Sequence, residues 1–242
     1  MREYTDEEQN EIIRGHCRAD LKFLCKDVLG MTDWDDELHG GVDKFLSLPG
    51  NEKLILMPRG HLKTSIMMGW VIQNILRNPN VTILINHAIW DVSRATLYAI
   101  QGYLTDKSLL PDIFGAFKSN KVRWSRDELE VNQRTSGLAR EATITTGGVE
   151  SSRIGLHFDV IVNDDVVVRE NVTTREQIEK VDNFHKDCYA LLNPGGMILD
   201  IGTRWAMDDL YGRIINKDMR SLNGYEFKDE EDRLNWRKRM AA

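Results

Sequence analysis

Leu54-Ile55-Leu56-Met57-Pro58-Arg59-Gly60-His61-Leu62-Lys63-Thr64-Ser65-Ile66 is a short apolar run, a turn, a Lys-Thr pair and the start of an apolar helical pattern. A phosphate-binding loop requires that order of parts. It needs a buried strand to hold the loop, backbone N–H groups turned around a phosphate, a lysine for the outer oxygens and a hydroxyl for Mg²⁺. Lys63 and Thr64 supply the last two, and the backbone from Pro58 through Arg59, Gly60, His61 and Leu62 to Ser65 would form the cradle. The usual G-x-x-x-x-G-K-[ST] pattern has glycine where this chain has Met57 and Leu62, with Gly60 between them. A surface turn ahead of a core helix would read similarly. The choice turns on Phe158-Asp159-Val160-Ile161-Val162-Asn163-Asp164-Asp165, a β-branched apolar run that ends in two carboxylates. Such a run is the form of a strand delivering acids to the C-terminal edge of a parallel sheet. Two such strands, lysine first and acids second, favour a nucleotide-hydrolysing site.

The chain has 242 residues, 41% of them hydrophobic, enough for one large domain with a substantial core. No apolar run approaches the roughly 18 residues needed to span a bilayer, and the polar start from Met1 to Asn10 predicts no signal peptide. Cys17, Cys25 and Cys188 have neither disulfide-framework nor C-x-x-C spacing, which predicts reduced thiols in a cytosolic compartment. The scattered histidines argue against structural zinc. A formal net charge of −6 argues against coating nucleic acid electrostatically, while leaving room for a local basic patch.

Taken in order, Thr5-Asp6-Glu7-Glu8 is a capping box, followed by Ile13, Cys17, Leu21, Leu24 and Val28 at helical spacing and stopped by Gly30. Asp33 to Leu48 predicts a second helix, in which Trp34 and His39 either pack or contact an adenine ring. Beyond the loop, Ile66 to Leu76 predicts a helix buried nearly all round and Val81 to Ile85 a strand. Ser93 to Leu104 predicts a helix with Ala95, Leu97, Ile100 and Leu104 inward. Between Lys121 and Thr146 short alternating segments predict antiparallel strands added to a parallel core. Thr173-Thr174-Arg175-Glu176 is another capping box, opening a helix that ends at Asn193-Pro194-Gly195-Gly196. A last strand runs from Met197 to Ile201, and Asp208-Asp209-Leu210-Tyr211 opens a charged helical end. Strand and helix alternate, the pattern of an α/β fold.

Pro58 to Thr64, Gly155 to Asp165, the helix ending Leu191-Leu192-Asn193-Pro194-Gly195-Gly196, and Ile201-Gly202-Thr203-Arg204-Trp205 with Asp208-Asp209-Leu210-Tyr211 together resemble the ATPase domain of a tailed-phage large terminase. The likeness runs in order from about His39 to about Ile214. It implies a P-loop NTPase of the additional-strand catalytic-glutamate class: a mainly parallel sheet flanked by helices, with added antiparallel strands and a small lid from the chain ends. The expected organisation is a single ATPase domain over 1–242, with a P-loop core at 50–206 and peripheral helices at 1–35 and 207–242. The resemblance also implies continuation into a nuclease domain of ribonuclease-H type. ATP and Mg²⁺ are the implied cofactors. Double-stranded DNA, a portal protein, a small terminase subunit and a homo-oligomeric ring are the implied partners, with a monomer in isolation, all in the cytoplasm of an infected bacterial host.

The same resemblance implies roles for single residues. Lys63 would hold the β/γ-phosphates, Thr64 and Asp164 the Mg²⁺, and Arg59 would sense the γ-phosphate from its own subunit. Asp165 would orient the attacking water where relatives commonly have glutamate, with Glu170 as helper; a shift of one residue would instead give Asn163 and Asp164 these duties. Thr203 would couple the γ-phosphate state to the rest of the domain, unless it merely satisfies its own turn. Arg153, with Arg140 as its rival, would reach the neighbouring subunit's site. Two other functions compete: a metal-dependent nuclease using Asp164, Asp165, Asp208 and Asp209, and a DNA- or portal-binding module with a degenerate loop. Asp208-Asp209 reads better as a helix cap than as a ligand pair.

Overall fold

The computed structural model describes residues 5–136, 140–151 and 155–221. In chain order the elements are α1 (Asp6–Ala19), α2 (Leu21–Phe23, running on as a π-helical turn over Leu24–Val28), α3 (Leu38–Ser47) and β1 (Glu52–Leu56). They continue with α4 (Lys63–Arg77), β2 (Ile83–His87), α5 (Trp90–Tyr103), α6 (Leu110–Phe114), β3 (Glu128–Leu129) and β4 (Ile144–Gly148). The last are β5 (Phe158–Asp164), α7 (Arg175–Ala190), β6 (Leu192–Gly202) and α8 (Leu210–Ser221).

The strands form one sheet in the order β1-β6-β5-β2-β4-β3, parallel throughout except for β3. β6 therefore lies between the loop strand β1 and the acidic strand β5, the inserted position expected of an additional-strand fold. Side chains alternate across the sheet. Ile55, Ile83, Ile85, Val160, Val162, Leu199 and Ile201 meet α4 and the N-terminal helices in the main core, while Leu84, Ile161 and Ile198 meet Cys188 of α7. Each fully buried side chain of this size contributes about 1.5–3 kcal/mol, so the two-sided burial accounts for the near-continuous apolar strands.

On the α7 face the alternation also buries a row of polar residues across three strands. Asn86 Nδ2 donates to Asn163 Oδ1 at 2.9 Å, Asn163 Nδ2 donates to Asp200 Oδ1 at 2.9 Å, and His185 Nε2 of α7 meets Asp200 Oδ2 at 2.9 Å. These residues sit opposite one another, Asn86 against Asn163 and Asn163 against Asp200.

Several expectations change. The first helix breaks at Asp20, whose carboxylate accepts from Phe23 N–H and so opens α2. The second begins at Leu38 rather than Asp33. The N-terminal helices lie outside the sheet, as a peripheral segment would, yet Cys17, Leu21, Leu24, Cys25 and Val28 are all buried in the main core. Ala95 is exposed, although Leu97, Ile100 and Leu104 point inward. Of the alternating segments, β3 runs antiparallel to β4 and Trp124 adds an isolated antiparallel bridge to Leu129, whereas β4 pairs parallel with β2. The cap of α7 is Thr174 with Gln177, one residue later than expected. Asn193-Pro194-Gly195-Gly196 lies inside β6, accommodated by an irregularity in its pairing with β5 between Phe158 and Val160. Residues 222–242 of the expected C-terminal periphery lie outside the described residues. Among the described residues no helix is long and apolar enough to cross a membrane.

Two backbone features place the site. Leu62, the residue before α4, is left-handed (φ 54°, ψ 21°), the conformation a glycine would supply at no steric cost. At the end of β6, Gly202 is required because a Cβ there would collide with the Tyr211 ring of α8. Urea melts should therefore show Gly202→Ala destabilised by about 1–3 kcal/mol through overpacking. Leu62→Gly should stay within about 1 kcal/mol of the parent, whereas the β-branched Leu62→Val should lose about 1–2 kcal/mol.

A candidate nucleotide site at the carboxyl edge of the sheet

β1, β6, β5 and β2 end side by side, and alternation puts Met57, Thr203, Asp164 and His87 on the α4 side of that edge. Residues 57–62 bridge the end of β1 to the start of α4. Among the described residues no side chain caps α4, so its first N–H groups are open at this edge, and the helix dipole there favours an anion.

Lys63 and Thr64 open α4 and face the two acids that end β5. Lys63 Nζ donates to Asp165 Oδ2 at 2.5 Å, and Thr64 Oγ1 donates to Asp164 Oδ2 at 3.0 Å. The Lys63 side chain is only 10% exposed, so it is a largely buried ion-pair partner. The remaining oxygens, Asp164 Oδ1 and Asp165 Oδ1, are buried without a hydrogen-bond partner. Burial raises the Asp164 carboxyl to about 6, with the Asp165 charge adding to the rise and Lys63 opposing it. Asp165 itself is left-handed (φ 46°). Aspartate tolerates that conformation better than most residues do.

Asn163, the alternative metal residue, points to the opposite face and is fully buried in the polar row with Asn86 and Asp200. Glu170 is exposed in a 3₁₀ turn. Asp209 is fully buried and committed: Oδ2 accepts from Trp205 and Ala206 N–H at 3.0 and 3.1 Å, and Oδ1 from Gly212 N–H at 2.9 Å. It caps α8, while Asp208 is exposed. Among the described residues no group of three or more His, Cys, Asp or Glu is arranged to hold a metal. Thr64, Asp164 and the two orphan oxygens fit Mg²⁺, which is commonly held by one or two carboxylates with substrate phosphates and water.

Thr203 Oγ1 donates across to Met57 O at 2.8 Å, tying the end of β6 to the loop rather than closing its own turn. The Arg59 guanidinium carbon lies 4.7 Å from the centre of the Trp205 ring. Pro58, Arg59, Gly60 and His61 are exposed along the loop, while Leu62 and Ser65 are partly covered. His61 Nδ1 donates to Arg59 O at 3.1 Å. His39 is buried behind the loop. Its Nδ1 accepts from Asp35 N–H at 2.7 Å, which leaves Nε2–H to donate to His61 O at 3.3 Å, and its ring packs against Trp34 at 5.5 Å. Nε2 thus braces the loop, while Nδ1 fixes the turn that leads into α3. Arg140 is exposed and donates to Gly155 O at 3.0 Å. Arg153 lies outside the described residues.

Sequence reading missed two residues of this site. One is His87, at the end of β2. Its Nδ1 accepts from Ile89 N–H at 3.0 Å, and burial holds its imidazole below the usual histidine range while the Asp165 charge pulls it upward. The other is Trp205, beneath Arg59. The available signal was positional: each follows an apolar strand that ends at the same edge.

No protein-family model matches the chain, and no curated protein matches it. Among solved structures it is similar to the crystal structure of the HK97 bacteriophage large terminase, with a TM-score of 0.59 at 12% sequence identity. The match covers 87% of this chain and 42% of that one, so this chain spans less than half the length of the protein it resembles. The chain thus shares the overall fold of that large terminase over most of its own length, with its own six-stranded sheet placing β6 between β1 and β5.

Proposed function

We propose that this chain is an ATP-hydrolysing motor domain of the large-terminase type, which drives viral DNA into a procapsid. The observation that carries the proposal is the pairing of Lys63 with Asp165 and Thr64 with Asp164, residues about a hundred positions apart that meet at the anion-ready start of a helix. Phosphate oxygens compete with Asp165 for Lys63. Once Lys63 turns to them, Asp165 is free to accept from a water and aim it in line with the γ-phosphorus. Arg59 reaches the same phosphate from the loop, and Thr203, bonded to Met57 O, relays the loop's position into β6. Bound Mg²⁺, held by Thr64 and by Asp164 through water, would neutralise charge on the transferring phosphate. DNA, a portal protein, a small terminase subunit and a homo-oligomeric ring are the proposed partners, in the cytoplasm of an infected bacterial host with a monomer in isolation. Arg153, or else Arg140, is the proposed arginine acting on the next subunit.

A nuclease built on four acids fits less well, because Asp209 is consumed by the α8 cap. A degenerate loop fits less well too, because Leu62 already adopts the backbone that the glycine would.

Thermal shift and turnover test the proposal together. Mg-ADP at a hundred times its dissociation constant should stabilise the protein by about 2.7 kcal/mol. Lys63→Met, which keeps the buried stem without the charge, should lose that shift, while Asp165→Asn should keep it and lose hydrolysis. Absence of a shift in the parent protein would favour the non-hydrolysing module, and Mn²⁺-dependent DNA cleavage unaffected by Lys63→Met would favour the nuclease.

Asp164→Asn should weaken the Mg²⁺ dependence and, in EDTA, raise the melting temperature at pH 8. The folded carboxyl titrates near 6 against about 4 unfolded. The folded state therefore binds the extra proton between those values, and wild-type stability falls as pH rises through that window. The asparagine variant should not show this fall.

A further inference from the structure

We propose that Trp205 is a positioning residue: its indole docks the Arg59 guanidinium in competition with the γ-phosphate, so that drawing Arg59 to ATP loosens the turn that caps α8. This rests on the nucleotide reading above and assigns the contact by which the loop would act on the rest of the chain.

The geometry begins with two neighbouring strands that end together. Leu56 of β1 lies opposite Gly202 of β6, and the segments beyond them run side by side. Three contacts tie these segments in sequence. Met57 N–H donates to Gly202 O at 3.0 Å, Thr203 Oγ1 donates to Met57 O at 2.8 Å, and Arg59 Cζ lies 4.7 Å from the Trp205 ring centre. The first two fix backbone. The third is the one that a ligand can exchange, because among the described residues Arg59 forms no ion pair and its charge is met by the ring face alone. A cation on an aromatic face at a half-exposed site is held more weakly than a guanidinium on a phosphate, where charge-assisted and bidentate bonds form.

The ring is in turn coupled to α8. Trp205 is partly buried against the small core that contains Val166, Val167, Leu210 and Tyr211. Its backbone N–H donates to Asp209 Oδ2 at 3.0 Å, and the other oxygen of that carboxylate caps α8 through Gly212 N–H at 2.9 Å. Arg204 closes the same turn by donating to Met207 O at 2.9 Å. One fully buried carboxylate therefore holds both the residue under Arg59 and the first turn of α8. The Tyr211 ring sits against Gly202, so the helix start and the strand end leave no slack between them.

The test compares affinities for a non-hydrolysable ATP analogue and for ADP, each with Mg²⁺. Removing a competing dock should help only the ligand that has a γ-phosphate. Trp205→Leu should therefore tighten analogue binding about two- to fivefold, the worth of an exposed cation–π contact, and leave ADP binding unchanged. Trp205→Phe, which keeps an aromatic face and guards against a folding defect, should stay near the parent. In an Arg59→Ala background, Trp205→Leu should change neither affinity. Hydrogen exchange at the Trp205, Ala206 and Gly212 amides should speed up with the analogue but not with ADP, and only when Arg59 is present. Equal effects on analogue and ADP, or an undiminished effect in the Arg59→Ala background, would overturn the dock while leaving the nucleotide site standing. A parent protein that binds neither ligand would overturn both.

Discussion

Two carboxylates at the end of β5 share one lysine, and the site is shaped by that imbalance. Asp165 takes Lys63 directly, whereas Asp164 has only a threonine hydroxyl, and each keeps a buried oxygen without a partner. Burying like charges side by side costs several kcal/mol unless a cation or a proton compensates. The raised Asp164 carboxyl is the local response to that cost. The arrangement is thus electrostatically incomplete within the protein, at a helix start that favours anions, and a metal with an anionic ligand would complete it.

The remaining features keep this edge aligned. β6 stands between the loop strand and the acidic strand, so both halves of the site are referred to a common neighbour. His39 braces the loop from behind through His61 O, and Lys53, buried in β1, donates to Phe45 O and Leu48 O at the end of α3. The loop is therefore held from its strand, from its helix and from the layer outside them.

Much of this was legible in the chain. The apolar run before Lys63, the acids after Val162 and the capping box at Thr5 each depend on local chemistry, and local chemistry survives folding. Less legible were features decided by backbone dihedrals or by strand order. Nothing in Leu62 announces a left-handed residue, and Asn193-Pro194-Gly195-Gly196 reads as a turn although it lies within β6, as the insertion between the residues that pair with Phe158 and Val160 of β5. Likewise β4 alternates like an antiparallel edge, and its direction is set by what lies beside it. His87 and Trp205 belong to the site because their strands end beside β5 and β1, a relation that periodicity along one chain does not contain.

The polar row of Asn86, Asn163, Asp200 and His185 has a bearing on accuracy. Parallel strands rich in valine and isoleucine are chemically repetitive, so sliding one against another by two residues would restore similar apolar contacts on both faces. The row removes that degeneracy. A slip would strand amide and carboxylate groups against aliphatic side chains, at about 1–3 kcal/mol for each unmet group. These side chains therefore work as an index mark shared by three strands and a helix, rejecting misaligned sheets during folding and bringing the strand ends out flush where the phosphate chemistry would need them.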